Sequence, residues 1–202
     1  LQIEAEGPIV NGILKASEIK MRGGDVEIQA PVTAIDLTAN TFEVTPVTGE
    51  PSITINIGTE TEFENEITET ESINLTGLTI NDFVEIEGYE TGDGTVFASE
   101  VSIKETDDVE VQGIIESDPG IGNIKVLGVE FRIGGATTFK DDDDNTISRL
   151  PEFNDLVTRD QSWIKVEASD GVADKIEIEK CKHCQKVKLS GVWCEDSKKD
   201  LE

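Results

Sequence analysis

Cysteine and histidine side chains cluster near the C-terminus of this 202-residue chain. Cys181, His183 and Cys184 lie close together, and Cys194 follows ten residues after Cys184. Thiolates and imidazoles are zinc ligands, and the C-x-x-C spacing lets a tight turn direct two sulfurs at one ion. Three cysteines are equally compatible with one disulfide plus an odd thiol, which is typical of an oxidising compartment. A complete zinc ribbon needs a second C-x-x-C pair, which this sequence lacks, so we favour the disulfide over zinc.

Acidic residues form a second set of candidate ligands. The offsets 1, 3, 5 and 12 of a calcium-binding loop are occupied by Asp141, Asp143, Asn145 and Glu152. Thr146 stands where such loops place glycine, and Pro151 interrupts the segment. We therefore favour a solvated charge run on a loop, with weak calcium binding as the alternative. The sequence indicates no required cofactor.

Residues suited to catalysis do not converge on a common site. His183 is the only histidine, so any nucleophile–histidine pair must be built beside it. The Gly120-Ile121-Gly122 segment has the context of a hairpin turn, not of a phosphate-binding loop. With 43 Asp and Glu residues present, no particular carboxylate pair indicates glycoside hydrolysis. The sequence predicts a protein that is not an enzyme.

Charge restricts the possible partners. Seventeen Lys and Arg residues oppose 43 Asp and Glu, giving a net charge of −26. A surface this acidic is unsuited to nucleic acid and to anionic membranes. No apolar run approaches the ~18 residues needed to span a bilayer. The last segment differs, because residues 180–202 carry six lysines against four acidic residues. This change in composition predicts a boundary near Glu179.

The sequence repeats itself, in the same order each time. Three pairs of segments match: Val26–Gln29 with Val109–Gln112, Thr61–Phe63 with Thr137–Phe139, and Val84–Glu87 with Ile164–Glu167. A closing segment occurs three times, as Ala16–Met21, Ala98–Ile103 and Ala173–Ile178. We therefore expect two compact units preceded by part of a third.

Strand patterns dominate both units. Apolar and polar residues alternate with period two, and Val, Ile, Thr and Phe are frequent, as half-buried strands require. Residues 73–83 and 147–161 are the places where a short helix or irregular segment fits. The order β-β-β-(helix)-β-β predicts an all-β fold of tandem small OB-like Greek-key barrels. Five-stranded sandwiches or open meanders are the alternatives.

Several segments together resemble a known family. The first unit contains Val26–Gln29, Phe42–Val44, Asn81–Gly88 and Gly94–Val101. In this combination the sequence resembles the bacterial repeat DUF5666, a domain of unknown function found, often in tandem, in exported proteins and lipoproteins. The resemblance covers residues 1–179 and weakens in the second unit, where Asp160–Trp163 replaces the usual Gly-Asp. It implies export and a barrel-like module, and it transfers no catalytic residue.

These observations divide the chain into four parts. We predict the closing hairpin of a truncated preceding repeat at 1–23, full repeats at 24–106 and 107–179, and a basic Cys- and His-containing tail at 180–202. Because Leu1 begins inside a strand pattern, we expect the chain to be a mature or excised piece.

The predicted function is a structural or interaction module of an exported, cell-surface or filament-forming protein, joined through strand edges and termini. A ligand-binding OB-like module, for a glycan, a protein or a divalent cation, is the alternative. The expected partners are copies of this chain or another cell-surface protein, without nucleic acid or membrane insertion. The expected location is extracellular or at the cell surface, with the periplasm as an alternative.

Overall fold

The computed structural model describes residues 3–6, 8–10, 13–15, 18–21, 26–71, 73–91, 94–117 and 122–180. Strands account for most of this part of the chain. None of the helices in these ranges combines the length and apolar character needed to cross a membrane.

A hairpin with a smaller hairpin at its tip opens the chain. Its strands are β1 (Ile3–Glu6), β2 (Ile9–Val10), β3 (Ile13–Leu14) and β4 (Glu18–Met21). Strands β1 and β4 pair antiparallel with Ala5 opposite Ile19, and β2 pairs with β3.

The first barrel follows. Its elements are β5 (Val26–Asp36), β6 (Thr41–Val44), β7 (Ile53–Asn65), β8 (Thr70–Glu71), a 3-10 helix (Leu75–Gly77), β9 (Phe83–Glu90) and β10 (Val96–Lys104). The strands are ordered β5-β6-β7-β10-β9, and β9 pairs again with β5, which closes the barrel. The β7–β10 pair is parallel, whereas the other pairs of this ring are antiparallel.

The second barrel repeats this order. Its elements are β11 (Val109–Ile114), β12 (Asn123–Val126), β13 (Val129–Lys140), β14 (Thr146–Ile147), α1 (Leu150–Leu156), β15 (Trp163–Ser169) and β16 (Val172–Glu179). The strands run β12-β13-β16-β15-β11, and a bridge between Ile115 and Val126 closes the ring. The predicted tandem OB-like barrels are confirmed, and the short helices lie in the two predicted connections.

Alternation along the strands builds the core. Along β5, Val26, Ile28, Ala30 and Val32 are buried, and the residues between them are half-buried. Burying an aliphatic side chain of this size contributes about 1.5–3 kcal/mol relative to exposure. Because Ile28 lies opposite both Ile86 and Val111, the buried rows of the two barrels are neighbours on one face of the sheet. The buried side chains of both barrels accordingly form one hydrophobic cluster.

In both barrels, a threonine hydroxyl bridges the point where the register of the parallel strand pair shifts. The Thr61 hydroxyl donates to the Ala98 carbonyl at 2.8 Å and accepts the Gly58 N–H at 3.0 Å. It does so where the register between β7 and β10 shifts. Thr137 makes the equivalent two bonds in the second barrel, at 2.6 and 2.8 Å. The repeat is therefore conserved in its hydrogen bonds as well as in its strand order.

Candidate functional site

The cysteine-rich set predicted from the sequence lies outside the described residues. This applies to Cys181, His183, Cys184 and Cys194, so both the disulfide and the zinc interpretation stay predictions.

The acidic set lies in the loop between β13 and β14 and on α1. The Asp141 carboxylate accepts hydrogen bonds from the backbone N–H groups of Asp143 and Asn145 at 3.0 and 2.8 Å, and from the Asn145 amide. These bonds lower the pKa of Asp141, those from Asn145 having the largest effect. Glu152 instead accepts from Arg149, one turn earlier in the chain. Within the described ranges, no three His, Cys, Asp or Glu side chains are arranged to hold a metal ion.

The junction between the barrels is a pairing of equivalent strands. Strand β5 pairs antiparallel with β11, and Ile28 lies opposite Val111 at the centre. Glu27 lies opposite Gln112, and Gln29 lies opposite Glu110. Since Glu27 corresponds to Glu110 and Gln29 to Gln112 in the repeat, the two pairs exchange under a two-fold rotation. The junction is an isologous contact between two copies of one strand.

A lysine lies between the two equivalent glutamates on the outer face of this junction. The Lys165 Nζ is 2.7 Å from Glu110 Oε1 and 3.3 Å from Glu27 Oε2. The side chains of Lys165, Glu27 and Glu110 are 18%, 22% and 12% exposed, respectively, so water screens these charges only in part. Two carboxyl groups therefore share one ammonium across the junction.

The two glutamates respond differently to this environment. Burial, with a smaller contribution from the neighbouring Glu27, raises the pKa of Glu110 to about 7 against the opposing effect of Lys165. Burial also acts to raise the pKa of Glu27, but the hydrogen bond with Glu110 and the charge of Lys165 outweigh it, so this pKa is lowered. Near neutral pH the two carboxyl groups therefore hold one proton between them, and the ammonium group of Lys165 neutralises the remaining negative charge.

Outward-facing residues distinguish the two barrels electrostatically. The first repeat, residues 24–106, carries 18 acidic residues and one basic residue, Lys104, a net charge of −17. Lys104 pairs with Glu85 and with Glu66. In the second barrel, lysines take positions that hold glutamates in the first: Lys140 for Glu64, Lys165 for Glu85 and Lys175 for Glu100. The first repeat therefore has the larger net negative charge, because residues 107–179 also carry 18 acidic residues but have seven basic ones.

A cleft of about 340 Å³ opens in the first barrel. It lies between the β5–β6 turn, β7 and the segment around the 3-10 helix. All the residues that line it are uncharged, and they are Leu37, Asn40, Ile57, Gly58, Thr59, Thr61, Phe63, Ile73, Asn74, Leu75 and Thr76. Ile57, Phe63 and Ile73 are partly buried against the core, whereas Leu37 is 57% exposed. The cleft therefore has a mixed lining, in which these apolar side chains lie among asparagine and threonine side chains.

The second barrel has an aromatic ring at the comparable place. Phe153 of α1 is fully buried, and its ring centroid is 5.0 Å from that of Phe139. Phe139 corresponds to Phe63 in the repeat. The first barrel has a three-residue 3-10 helix in this connection instead of the seven-residue α1, and Leu75 is its buried residue.

Sequence reasoning missed both the junction and the cleft. A signal for the junction was present, because aligning the repeats shows Lys165 in place of Glu85 within an otherwise matching strand. The signal for the cleft was weaker. The connection after β8 is shorter than the connection after β14, and it has no residue that corresponds to Phe153.

No curated protein matches the chain. Among solved structures, the chain is similar to a CusF variant with Cu(II) from Escherichia coli, at 13% identity and a TM-score of 0.30, over 43% of this chain and 99% of that one. The chain is also similar to Ag(I)CusF, at 15% identity and a TM-score of 0.29, over 39% of this chain and 97% of that one. Likeness at this level carries no inference about ligands. The family model described as a domain of unknown function, DUF5666, matches residues 29–102 and again 110–177.

Proposed function

Because this chain belongs to the DUF5666 family and contains the domain twice, we propose that it is a non-catalytic interaction module of an exported protein. In this proposal, repeats associate through the edges of their strands. The observation that supports it is the junction, where the first strand of one repeat pairs with the first strand of the next. Edge pairing supplies main-chain hydrogen bonds without a dedicated pocket.

The N-terminal hairpin supports association beyond the two barrels. In the hairpin Ala5 lies opposite Ile19, and in the first barrel Ile86 lies opposite Val101. Since Ile19 and Val101 are equivalent in the repeat, the hairpin has the register of a closing hairpin. We assign residues 1–23 to a preceding repeat on this basis. Two-stranded hairpins are marginal alone in water, so a strand edge from another molecule is the partner we propose.

Light scattering tests this association. We expect the intact chain to form species larger than a monomer under reducing conditions, and Ala5→Pro to shift them toward the monomer. Proline removes a strand N–H from β1, which pairs with β4 in a sheet separate from that of the barrels. A variant lacking residues 1–21 should behave as Ala5→Pro does. Monodisperse monomers for all three proteins, without disulfide-linked species, would contradict the proposal.

Export is part of the same proposal. The family resemblance and the strongly acidic composition, with a net charge of −26, support an extracellular, cell-surface or periplasmic location. Fractionation of the native host, followed by immunodetection, tests it. Recovery of the protein only with cytoplasmic markers would contradict this location.

We propose calcium binding as a second function, on the offsets of Asp141, Asp143, Asn145 and Glu152. Because Asp141 is bonded within its own loop and Glu152 to Arg149, calcium must replace these bonds. Thermal melts in CaCl₂ and in NaCl at matched ionic strength test this proposal. A larger stabilisation by calcium supports a site, and equal shifts reduce the effect to screening.

A further inference from the structure

The uncharged cleft of the first barrel lies within the part of the chain that has the largest net negative charge. No charged residue lines it, although the first repeat around it has a net charge of −17. Leu37 at the rim is 57% exposed, and the partly buried Phe63 contributes to the floor. An occupant suited to this cleft has an apolar group that covers Leu37 and Phe63, tolerates the asparagine and threonine side chains beside them, and carries positive charges nearby.

The second barrel indicates what kind of group fills such a space. There the ring of Phe153, supplied by the chain itself, packs on Phe139 at 5.0 Å between centroids. Phe63 corresponds to Phe139, and the cleft lies beside Phe63. An aromatic ring is therefore a suitable occupant of the first barrel as well, because large rings bury much apolar surface at one point.

We propose that this cleft binds the C-terminal segment of the same chain, with Trp193 in the cleft. Residues 180–193 carry four lysines and no acidic residue, so their charge is complementary to that of the first repeat. Within this segment Lys186 and Lys188 alternate with Val187 and Leu189 and precede Trp193. The segment thus combines an aromatic ring with flanking positive charge.

The length of the segment allows it to reach the cleft. Lys180 pairs with Asp142 and Asp143 on the β13–β14 loop, and Trp193 is 13 residues further on. Thirteen extended residues span at most about 43 Å. From β13 to β7 the sheet has six steps between neighbouring strands, or roughly 29 Å at ~4.8 Å per step. The chain's own tail is therefore long enough.

Tryptophan fluorescence of the full chain tests the proposal. The chain has two tryptophans, so Trp163→Phe leaves Trp193 as the only reporter. We expect its emission at short wavelength and protected from acrylamide quenching. Leu37→Asp in this background should shift the emission to longer wavelength and increase quenching several-fold. Leu156→Asp is the matched control, because Leu156 is 56% exposed on the second barrel, and it should leave both readouts unchanged.

Three outcomes would overturn the proposal. Trp193 emission like that of free tryptophan in the starting protein is one, and equal shifts for Leu37→Asp and Leu156→Asp are another. Loss of the short-wavelength emission on dilution is the third, because it would assign the occupant to a second copy. If Trp163→Phe disturbs the fold, the difference spectrum between the unaltered chain and Trp193→Phe gives the same readout. The proposal is independent of strand-edge association, since deleting residues 1–21 should not change the fluorescence.

Discussion

At the scale of single residues, Lys165 has the largest electrostatic role at the junction. Its repeat counterpart is Glu85, and a glutamate at this position would face Glu27 and Glu110 with a third carboxyl group. The ammonium instead contacts both carboxyl groups. Burial acts to lower the pKa of Lys165, but the contacts with Glu110 and Glu27 together outweigh it and raise this pKa. The side chain is therefore charged over the whole pH range in which Glu110 titrates.

Glu110→Gln should make the protein less sensitive to pH. Burial raises the pKa of Glu110 from 4.5 to about 7, so the folded chain holds a proton that the unfolded chain releases. The free energy of unfolding therefore falls as pH rises through this window. Glutamine resembles the protonated acid and does not titrate. From pH 5 to pH 8 the unaltered protein should therefore lose about 2 kcal/mol more unfolding free energy than the variant does. Urea unfolding at both pH values measures this.

Glu87→Gln provides the control for that prediction, because Glu87 is exposed on the same face of the sheet. It should change stability little at either pH. A gain between pH 5 and pH 8 that is the same for both variants would show that general charge reduction, not the buried position of Glu110, is responsible.

At the scale of elements, the connection between the third and fourth strands separates the two barrels most clearly. In the second barrel α1 begins after Arg149, has a proline in its first turn and buries Phe153. Proline is favoured there because the first helical N–H groups have no partner within the helix. A helix this short is not stable by itself, so its position depends on the packing of Phe153.

Phe153→Ala should detach α1 from the second barrel. Removing a fully buried phenylalanine costs about 3–5 kcal/mol, because it loses transfer energy and leaves a cavity beside Phe139. Leu156→Ala on the same helix should cost less than about 0.5 kcal/mol, since Leu156 is 56% exposed. Chemical denaturation monitored by circular dichroism gives both values. Similar costs for the two variants would contradict this account of the helix.

The strands and their order along the chain were predictable from the sequence. The pairing of strands between the two barrels was not. Alternation along Val26–Gln29 shows which side chains are buried, because the period of a strand is two. It does not show that β5 pairs with β11 through its free edge, since edge groups belong to the backbone and leave no pattern in side chains. The cleft was hidden for a related reason: Leu37 lies in a turn and Ile73 in a connection, where no periodicity applies.

At the scale of the whole molecule, the barrels share more than one strand pair. A Cβ atom built on Gly171 would lie 2.7 Å from Val47 Cγ1, so the β15–β16 turn packs closely on the first barrel. On another part of the junction, burial and the charge of Glu116 raise the pKa of Glu90. With a single hydrophobic cluster across both barrels, we expect them to unfold together.

Val44→Ala tests this coupling from one barrel to the other. Val44 is fully buried in the first barrel, and the substitution should cost about 2 kcal/mol. In a Trp193→Phe background, Trp163 reports on the second barrel, and its unfolding midpoint should fall together with that of the circular dichroism signal. An unchanged Trp163 midpoint beside a lowered first-barrel transition would show that the barrels unfold independently.

The junction also limits how many repeats one contact can join. One edge of β5 is taken by β9 of its own barrel, and the other edge by β11. Strand β11 is enclosed in the same way, between β15 and β5. The contact therefore has a valency of one: a repeat that has formed it offers no second first-strand edge to a newcomer. Repeats joined through their first strands therefore form pairs. A third copy in the same chain needs either a further repeat to pair with or a different type of contact.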